Sequence, residues 1–82
     1  MSYSRAHIRL NTTQDANEFV QMINSDGTAD KYIIEDFNGK QRVNARSLMG
    51  VLYALTDFND EMYLVNDSED KELPYFIDKY RV

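Results

Sequence analysis

The chain has 82 residues, of which 43% are hydrophobic and 28% are charged, and fourteen acidic against nine basic residues give a net charge of −5. This size predicts one domain over residues 1–82, with a thin hydrophobic layer and no deep pocket. The acidic balance argues against nucleic-acid binding, and the absence of cysteine excludes disulfides and thiolate chemistry. With one histidine and no long apolar run, we expect a cytoplasmic module without a metal, cofactor or membrane segment.

The first predicted strand runs from Tyr3 to Leu10, where apolar and polar side chains alternate. We expect Ala6 and the following alternate residues to be buried, and Arg5, His7 and Arg9 to face water.

The capping residues Asn11-Thr12-Thr13 predict the start of a helix. The predicted helix ends at Asn24-Ser25-Asp26-Gly27. Its apolar residues recur at i, i+3, i+4 and i+7 and predict one buried face made of Ala16, Phe19, Val20 and Ile23.

A β-hairpin is predicted next, from the strand-forming segment 31–37 and the partner strand 40–44. The turn Asn38-Gly39 between them is typical of a tight loop whose two central residues both take positive φ. From Arg46 to Leu55 the spacing of apolar residues becomes helical. Gly50 inside this helix indicates close packing or a neighbouring partner, because glycine costs about 1 kcal/mol there relative to alanine.

After a turn at 56–59, the segment from Glu61 to Val65 predicts the fourth strand, and Asn66-Asp67-Ser68 predicts the cap of a last helix. Pro74 fits that helix only if the helix begins late. Its apolar face would hold Leu73, Phe76, Ile77 and Tyr80. The order β-α-β-β-α-β-α predicts an α+β open-faced sandwich, with a four-stranded antiparallel sheet covered on one face by three helices.

Two segments of the chain are notable, namely Asn38-Gly39-Lys40 and Val43-Asn44-Ala45-Arg46-Ser47-Leu48-Met49-Gly50-Val51. Both segments resemble the histidine-containing phosphocarrier (HPr) family of the sugar phosphotransferase system. In that family an Asn-Gly-Lys turn and a short strand precede a helix that begins Lys-Ser-(Ile/Leu)-Met-Gly-(Val/Leu). The resemblance implies the same β-α-β-β-α-β-α sandwich over nearly the whole chain.

The phosphate-accepting loop of the family differs from this chain. There a His-Ala-Arg-Pro-Ala stretch opens the first helix, and the imidazole accepts the phosphoryl group beside the helix N-terminus and the arginine. The corresponding stretch is Thr12-Thr13-Gln14-Asp15-Ala16, with Thr12 in the place of the histidine and Gln14 in the place of the arginine. We therefore interpret Thr12, Thr13, Gln14 and Asp15 as a degenerate acceptor loop and expect no enzymatic activity.

His7 is the only histidine and hence the only other histidyl acceptor that the chain offers. It lies within the first predicted strand, between Arg5 and Arg9. We interpret it as a solvated residue of the sheet surface; the alternative is a relocated acceptor.

Ser47 matches the serine that a regulatory kinase phosphorylates in HPr proteins of some Gram-positive bacteria, and the serine of the catabolite-repression HPr paralogue, which also lacks the histidine. A phosphate at a helix start would lie among free backbone N–H groups, with Arg46 and Arg42 as nearby cations. We favour the simpler interpretation, a helix N-cap, and keep phosphorylation as the alternative.

Leu48, Met49 and Leu52 correspond to an apolar patch that the family uses to dock partner proteins, whereas Val51 and Leu55 would face the core. The helix is apolar over more of its surface than one sheet face can cover, which indicates an interface. Complete burial beneath the last helix is the equal alternative.

The leading hypothesis is an HPr-like, non-catalytic regulatory module without the histidyl site. It would bind a protein of the phosphotransferase or catabolite-regulation systems through Arg46, Ser47, Leu48, Met49 and Leu52. The alternatives are a working phosphocarrier that uses His7 and a self-associating structural module.

Overall fold

The computed structural model of the chain describes residues 5–25, 31–58, 61–68 and 73–82. Its elements in chain order are β1 (Arg5–Ile8), α1 (Thr13–Ser25), β2 (Tyr32–Glu35), β3 (Arg42–Asn44), α2 (Leu48–Asp57), β4 (Met62–Asn66) and a 3₁₀ helix (Tyr75–Tyr80). Over the described residues this confirms an α+β chain with a four-stranded antiparallel sheet and three helices. β1 ends at Ile8, before the predicted end, and β2 and β3 are shorter than predicted, because only residues paired with a neighbouring strand belong to the ladder. β4 keeps its predicted length but lies one residue later.

The sheet has the order β1-β4-β2-β3, and each neighbouring pair is antiparallel. β4 follows both helices in the chain but lies between β1 and β2. Tyr63 of β4 is therefore paired with His7 on one side and with Glu35 on the other. These three residues lie on the sheet face opposite the core, because burial alternates along β1, β2 and β4.

The core lies between the sheet and the helices. The predicted buried face of α1 is confirmed, and Val51 and Ala54 are the buried residues of α2. Burying a large side chain such as Phe19 contributes about 2–3 kcal/mol relative to leaving it exposed. The sheet contributes six buried residues to this core, which are Ala6, Ile8, Tyr32, Ile34, Met62 and Leu64.

The hairpin between β2 and β3 is confirmed, but its loop is wider than predicted. The Asp36 N–H donates to the Gln41 carbonyl at 3.1 Å, and the Gly39 N–H donates to the Asp36 carbonyl at 3.1 Å. Phe37 and Asn38 are therefore the central turn residues, and Gly39 follows them with φ of 74°. This is the longer class of hairpin, in which a left-handed glycine follows the turn.

The last helix differs more from its prediction. It is a 3₁₀ helix that begins after Pro74, so the late start that the proline requires is observed. Asn66-Asp67-Ser68 does not cap it. Instead Asn66 is the buried end of β4, where its Oδ1 accepts from the Ser68 N–H at 2.9 Å, and the Ser68 Oγ accepts from the Lys31 N–H at 2.7 Å. The three residues form a turn because an asparagine side chain bonds the backbone two residues later.

The free edge of β1 is partly covered by the last residues of the chain. The Arg9 N–H donates to the Tyr80 carbonyl at 2.8 Å, and the Val82 N–H donates to the His7 carbonyl at 3.0 Å. Leu10 is buried but follows the strand. The predicted strand start at residues 3–4, the helix stop at 26–27 and the end of the turn at residue 59 lie outside the described residues.

None of the helices in the described ranges combines the length and the apolar character that crossing a membrane requires.

Candidate functional site

Ser47 is the N-cap residue directly before helix α2, with φ of −102° and ψ of 120°. The Ser47 Oγ accepts a hydrogen bond from the Gly50 N–H at 3.2 Å. The structure thus confirms the N-cap interpretation and moves the helix start from Arg46 to Leu48. Such a cap stabilises a helix by about 1 kcal/mol because it satisfies a backbone N–H that has no partner within the helix.

Gly50 lets the first turn of α2 lie directly against strand β3. A Cβ atom at this position would stand 3.2 Å from the Asn44 carbonyl oxygen and 3.3 Å from the Val43 Cβ. Close packing, one of the two interpretations of this glycine, is therefore observed. The contact fixes the position of Ser47 and the first turn relative to the sheet.

The opposite side of this turn faces solvent. Leu48 is 38% exposed and Met49 is 80% exposed, while Leu52 is partly buried against the core. Tyr53, which lies one turn after Met49, is 47% exposed. We call these four residues the α2 surface. From Leu48 to Thr56 the helix has no charged residue, so the surface is apolar with a single hydroxyl.

Tyr53 belongs to this surface although it was not among the predicted site residues. The signal was its i+4 spacing from Met49, which places both side chains on the same side of a helix. The Tyr53 hydroxyl donates to the Gln41 Oε1 at 3.0 Å and so ties α2 to the hairpin. The Asp57 carboxylate, as hydrogen-bond acceptor and as negative charge, raises the pKa of Tyr53.

The two arginines expected to supply cations to Ser47 make other contacts. Arg46 donates to the Ile23 carbonyl at 3.1 Å, near the end of α1, and its guanidinium lies 5.2 Å from the Tyr32 ring centre. Arg42 forms an ion pair with Glu35 at 3.2 Å on the outer sheet face. Arg46 therefore joins α1 to the segment before α2, and Arg42 joins β3 to β2.

The residues interpreted as a degenerate acceptor loop, Thr12 to Asp15, lie at the beginning of α1. The Asp15 N–H donates to the Thr12 Oγ1 at 3.0 Å, and the Asp15 Oδ2 accepts from the Asn11 N–H at 3.0 Å. This reciprocal arrangement is close to a capping box, in which the cap residue and the third helical residue satisfy each other's N–H groups. Thr13 and Gln14 are exposed. A carboxylate of the chain itself thus occupies the positive end of the helix dipole.

His7 lies on the outer face of the sheet, where its ring stacks on Tyr63 at a centroid distance of 4.6 Å. The Arg5 guanidinium lies 3.9 Å from the same tyrosine ring centre and pairs with Glu35 at 2.8 Å. Arg5 and His7 lie on the outer sheet face, as predicted, and Arg9 after the strand is exposed. Arg5 and His7 are only partly exposed, because neighbouring side chains on β4 and β2 cover them.

The predicted site residues therefore fall into three places. The start of α2 brings Ser47, Leu48, Met49 and Leu52 together, with the Arg46 guanidinium directed to α1. The start of α1 holds the degenerate loop. The outer sheet face holds His7, on the side of the sheet away from the helices.

Comparison with known proteins adds no assignment, since no family model, curated protein or solved structure matches this chain. Within residues 5–25, 31–58, 61–68 and 73–82, no group of three or more acidic or histidine side chains is placed to hold a metal ion.

Proposed function

We propose that this chain is an HPr-like, non-catalytic regulatory module of the bacterial cytoplasm that binds a protein partner through the α2 surface. The observation that carries the proposal is the exposure of Leu48, Met49 and Tyr53 on a helical turn without charged residues. The proposed fold is the open-faced sandwich of the family. The element order and the shared core of the sheet and helices support it.

An apolar helix face on a small, highly charged chain is the type of surface that interfaces use. The cores of protein interfaces are depleted in charged residues and enriched in methionine and aromatic residues. Met49 fits this role because its unbranched side chain adapts to different partner shapes. The close contact of Gly50 with β3 holds the backbone of the surface in place, which reduces the entropy lost on binding.

A partner with basic residues around an apolar contact area fits the α2 surface best. A second copy of the chain has the same net charge of −5 and is repelled, whereas a basic protein is attracted. Self-association through the α2 surface is therefore an outcome of the tests below rather than the proposal.

The start of α1 supports the non-catalytic part of the proposal. In a histidyl phosphocarrier the positive end of this helix and an arginine stabilise the phosphoryl group. Here the Asp15 carboxylate occupies the helix end and would repel a phosphate, and Gln14 has no charge. Threonine at position 12 cannot form a phosphoramidate.

Ser47 is the proposed regulatory position of the same surface. Phosphorylation would add a charge of about −2 to a helix end that has no acidic residue in its first turn, beside Leu48 and Met49. The charge would strengthen α2 and would alter docking, because it makes charge-assisted contacts with basic residues of the partner and opposes burial of the neighbouring apolar side chains. Phosphopeptide mass spectrometry of the chain purified from its host, covering residues 47–55, tests whether this modification occurs.

The docking proposal is tested by photo-crosslinking, with a photoreactive amino acid at position 48 of the full chain in a lysate of the host. Proteins crosslinked by the otherwise wild-type chain are quantified against the Met49→Lys variant. Tyr75→Lys is the matched control, because Tyr75 is 88% exposed and lies on the 3₁₀ helix. We expect one protein whose yield falls at least about tenfold in Met49→Lys and not in Tyr75→Lys. Equal yields from both variants would contradict docking at the α2 surface.

The carrier alternative is tested with purified phosphotransferase enzyme I and phosphoenolpyruvate. We expect no acid-labile phosphate on the chain. Phosphorylation that His7→Ala abolishes would establish a relocated acceptor and overturn the non-catalytic assignment.

Light scattering over a concentration series tests self-association. A constant monomer mass supports a heterologous partner. A dimer that Met49→Lys dissociates would instead make the second copy the occupant of the α2 surface.

A further inference from the structure

The methionine side chains of the described residues differ sharply in their access to solvent. Met49 is 80% exposed on the α2 surface, whereas Met62 of β4 is 1% exposed in the core. Met22 of α1 is half-buried, and its sulfur lies 3.7 Å from the Tyr80 hydroxyl oxygen. Of these three methionines, Met49 is therefore the one whose thioether an oxidant in solution reaches first.

We propose that Met49 is a reversible oxidation site that switches off docking at the α2 surface, with hydrogen peroxide as the oxidant. The inference rests on the proposed function, because it names a regulatory chemistry for the same surface. It is independent of Ser47 phosphorylation and uses a different atom.

The reaction is a two-electron oxygen transfer. A lone pair of the Met49 Sδ attacks one peroxide oxygen, the O–O bond breaks as the S–O bond forms, and the other oxygen leaves as water after a proton transfer. Sulfur is oxidised and peroxide is reduced. Methionine sulfoxide reductases reverse the change, one enzyme for each sulfoxide epimer.

The product places a strongly polar S–O group in the middle of the α2 surface. Leu52 and Tyr53 follow Met49 at i+3 and i+4, on the same side of the helix. A partner that buries this surface must remove water from the sulfoxide oxygen without a matched donor. Burying an unsatisfied polar group of this kind weakens binding by roughly tenfold or more.

The selectivity is measured on the full chain with graded hydrogen peroxide, quenched with free methionine. Cleavage before aspartate separates the residues, because Asp36 and Asp57 put Met49 in the peptide 36–56 and Met62 in a different one. We expect Met49 to oxidise at least about tenfold faster than Met62, with Met22 between them. Equal rates at Met49 and Met62, or faster oxidation of Met22, would overturn the inference.

The effect on the surface is measured by retention on a phenyl hydrophobic-interaction column. Oxidised wild type should elute earlier than untreated protein, and reductase treatment should restore the original retention. Met49→Leu keeps the size and apolar character but cannot be oxidised at position 49, so peroxide should change its retention much less than that of wild type. A peroxide shift of equal size in Met49→Leu would assign the effect to another residue and overturn the inference.

The effect on docking is measured with the position-48 crosslinking assay. We expect oxidation to lower the partner yield at least about tenfold for wild type and to leave Met49→Leu unchanged. A yield that falls in Met49→Lys but resists oxidation overturns the switch and leaves the docking proposal intact. A yield that is also insensitive to Met49→Lys removes the docking proposal itself.

Discussion

Helices α1 and α2 have the same type of N-cap residue but expose different surfaces beside it. Each has a hydroxyl residue as its N-cap, Thr12 for α1 and Ser47 for α2. In α1 the third helical residue is Asp15, whose carboxylate accepts a backbone hydrogen bond before the helix. In α2 the third residue is Gly50, and no acidic residue lies in the first turn.

The difference lies in the charge at the two helix N-termini. The Asp15 carboxylate offsets the positive end of the α1 dipole, whereas α2 has no acidic residue in its first turn. At α1 the exposed residues beside the cap are polar, and the acidic groups Asp15 and Glu18 both make contacts within the molecule. At α2 the exposed residues beside the cap are Leu48 and Met49. The third helical position holds Gly50, which packs against β3, where α1 has the acidic residue Asp15. Four predictions test this contrast between the helices, in order of decreasing effect.

Replacing Gly50 with valine should push α2 away from β3 and lower the free energy of unfolding by about 2 kcal/mol, because the added atoms overpack the space beside Asn44. Valine is a better helix former than glycine, so intrinsic propensity acts in the opposite direction. Urea unfolding measures the change. Stability equal to wild type would show that β3 yields without cost and that the contact does not position the α2 surface.

Removing the two N-caps should have unequal effects. Ser47→Ala should cost about 1 kcal/mol of unfolding free energy, and Thr12→Ala about half of that, because the Asp15 charge remains at the α1 end. Ser47→Asp keeps an acceptor and serves as the control, with stability at or slightly above wild type. Equal losses in the two alanine variants would mean that Asp15 does not compensate at α1.

Glu18 should make the attachment of the 3₁₀ helix to α1 depend on pH. Its carboxylate pairs with Lys79 at 2.7 Å and accepts from the Tyr80 hydroxyl, and these bonds hold the pKa of Glu18 below its usual value. A depressed carboxyl pKa stabilises the fold above the unfolded-state value of about 4.3, and the contribution is lost as pH falls through the folded-state value.

The Glu18→Gln variant should therefore have a lower Tm than wild type at neutral pH, and the difference should vanish at strongly acidic pH. Thermal unfolding followed by circular dichroism over a pH series measures both. A Tm difference that persists unchanged in acid would assign the effect to packing rather than to charge.

Met49→Lys should change stability least, by less than about 0.5 kcal/mol, because the side chain is exposed and has no contact that the fold needs. The same urea unfolding experiment provides the check. A loss of more than about 1 kcal/mol would mean that Met49 stabilises the fold and would remove the Met49→Lys variant as a clean test of docking.

The elements with strong periodicity were predictable from the sequence. The buried face of α1 and the Ser47 cap followed from apolar spacing and capping chemistry, which depend on neighbouring residues only. The hairpin was also recognised, but the turn centre was placed one residue late. Arg5 shows why: it donates to the Asp36 and Phe37 carbonyls from a strand far away in the chain, and local turn preferences carry no signal of that contact.

The last helix and the arginines show the limit more clearly. Asn66 was predicted as part of a cap, but β4 extends to it because Tyr32 of β2 is its ladder partner. Arg46 was placed with Ser47 on the basis of sequence proximity, whereas its guanidinium reaches the Ile23 carbonyl of α1. In both cases a long-range contact decides which of two locally acceptable structures forms.

The position of β4 has a consequence for biosynthesis. β4, the last strand in chain order among the described residues, lies in the middle of the sheet, and β1 and β2 join the same sheet only when it pairs with both of them. A ribosome making about 5–20 residues per second therefore releases β1, both long helices and the hairpin before the sheet can close. During that interval the nascent chain exposes two unpaired strand edges, so a chaperone that shields them at this stage should raise the yield of native protein.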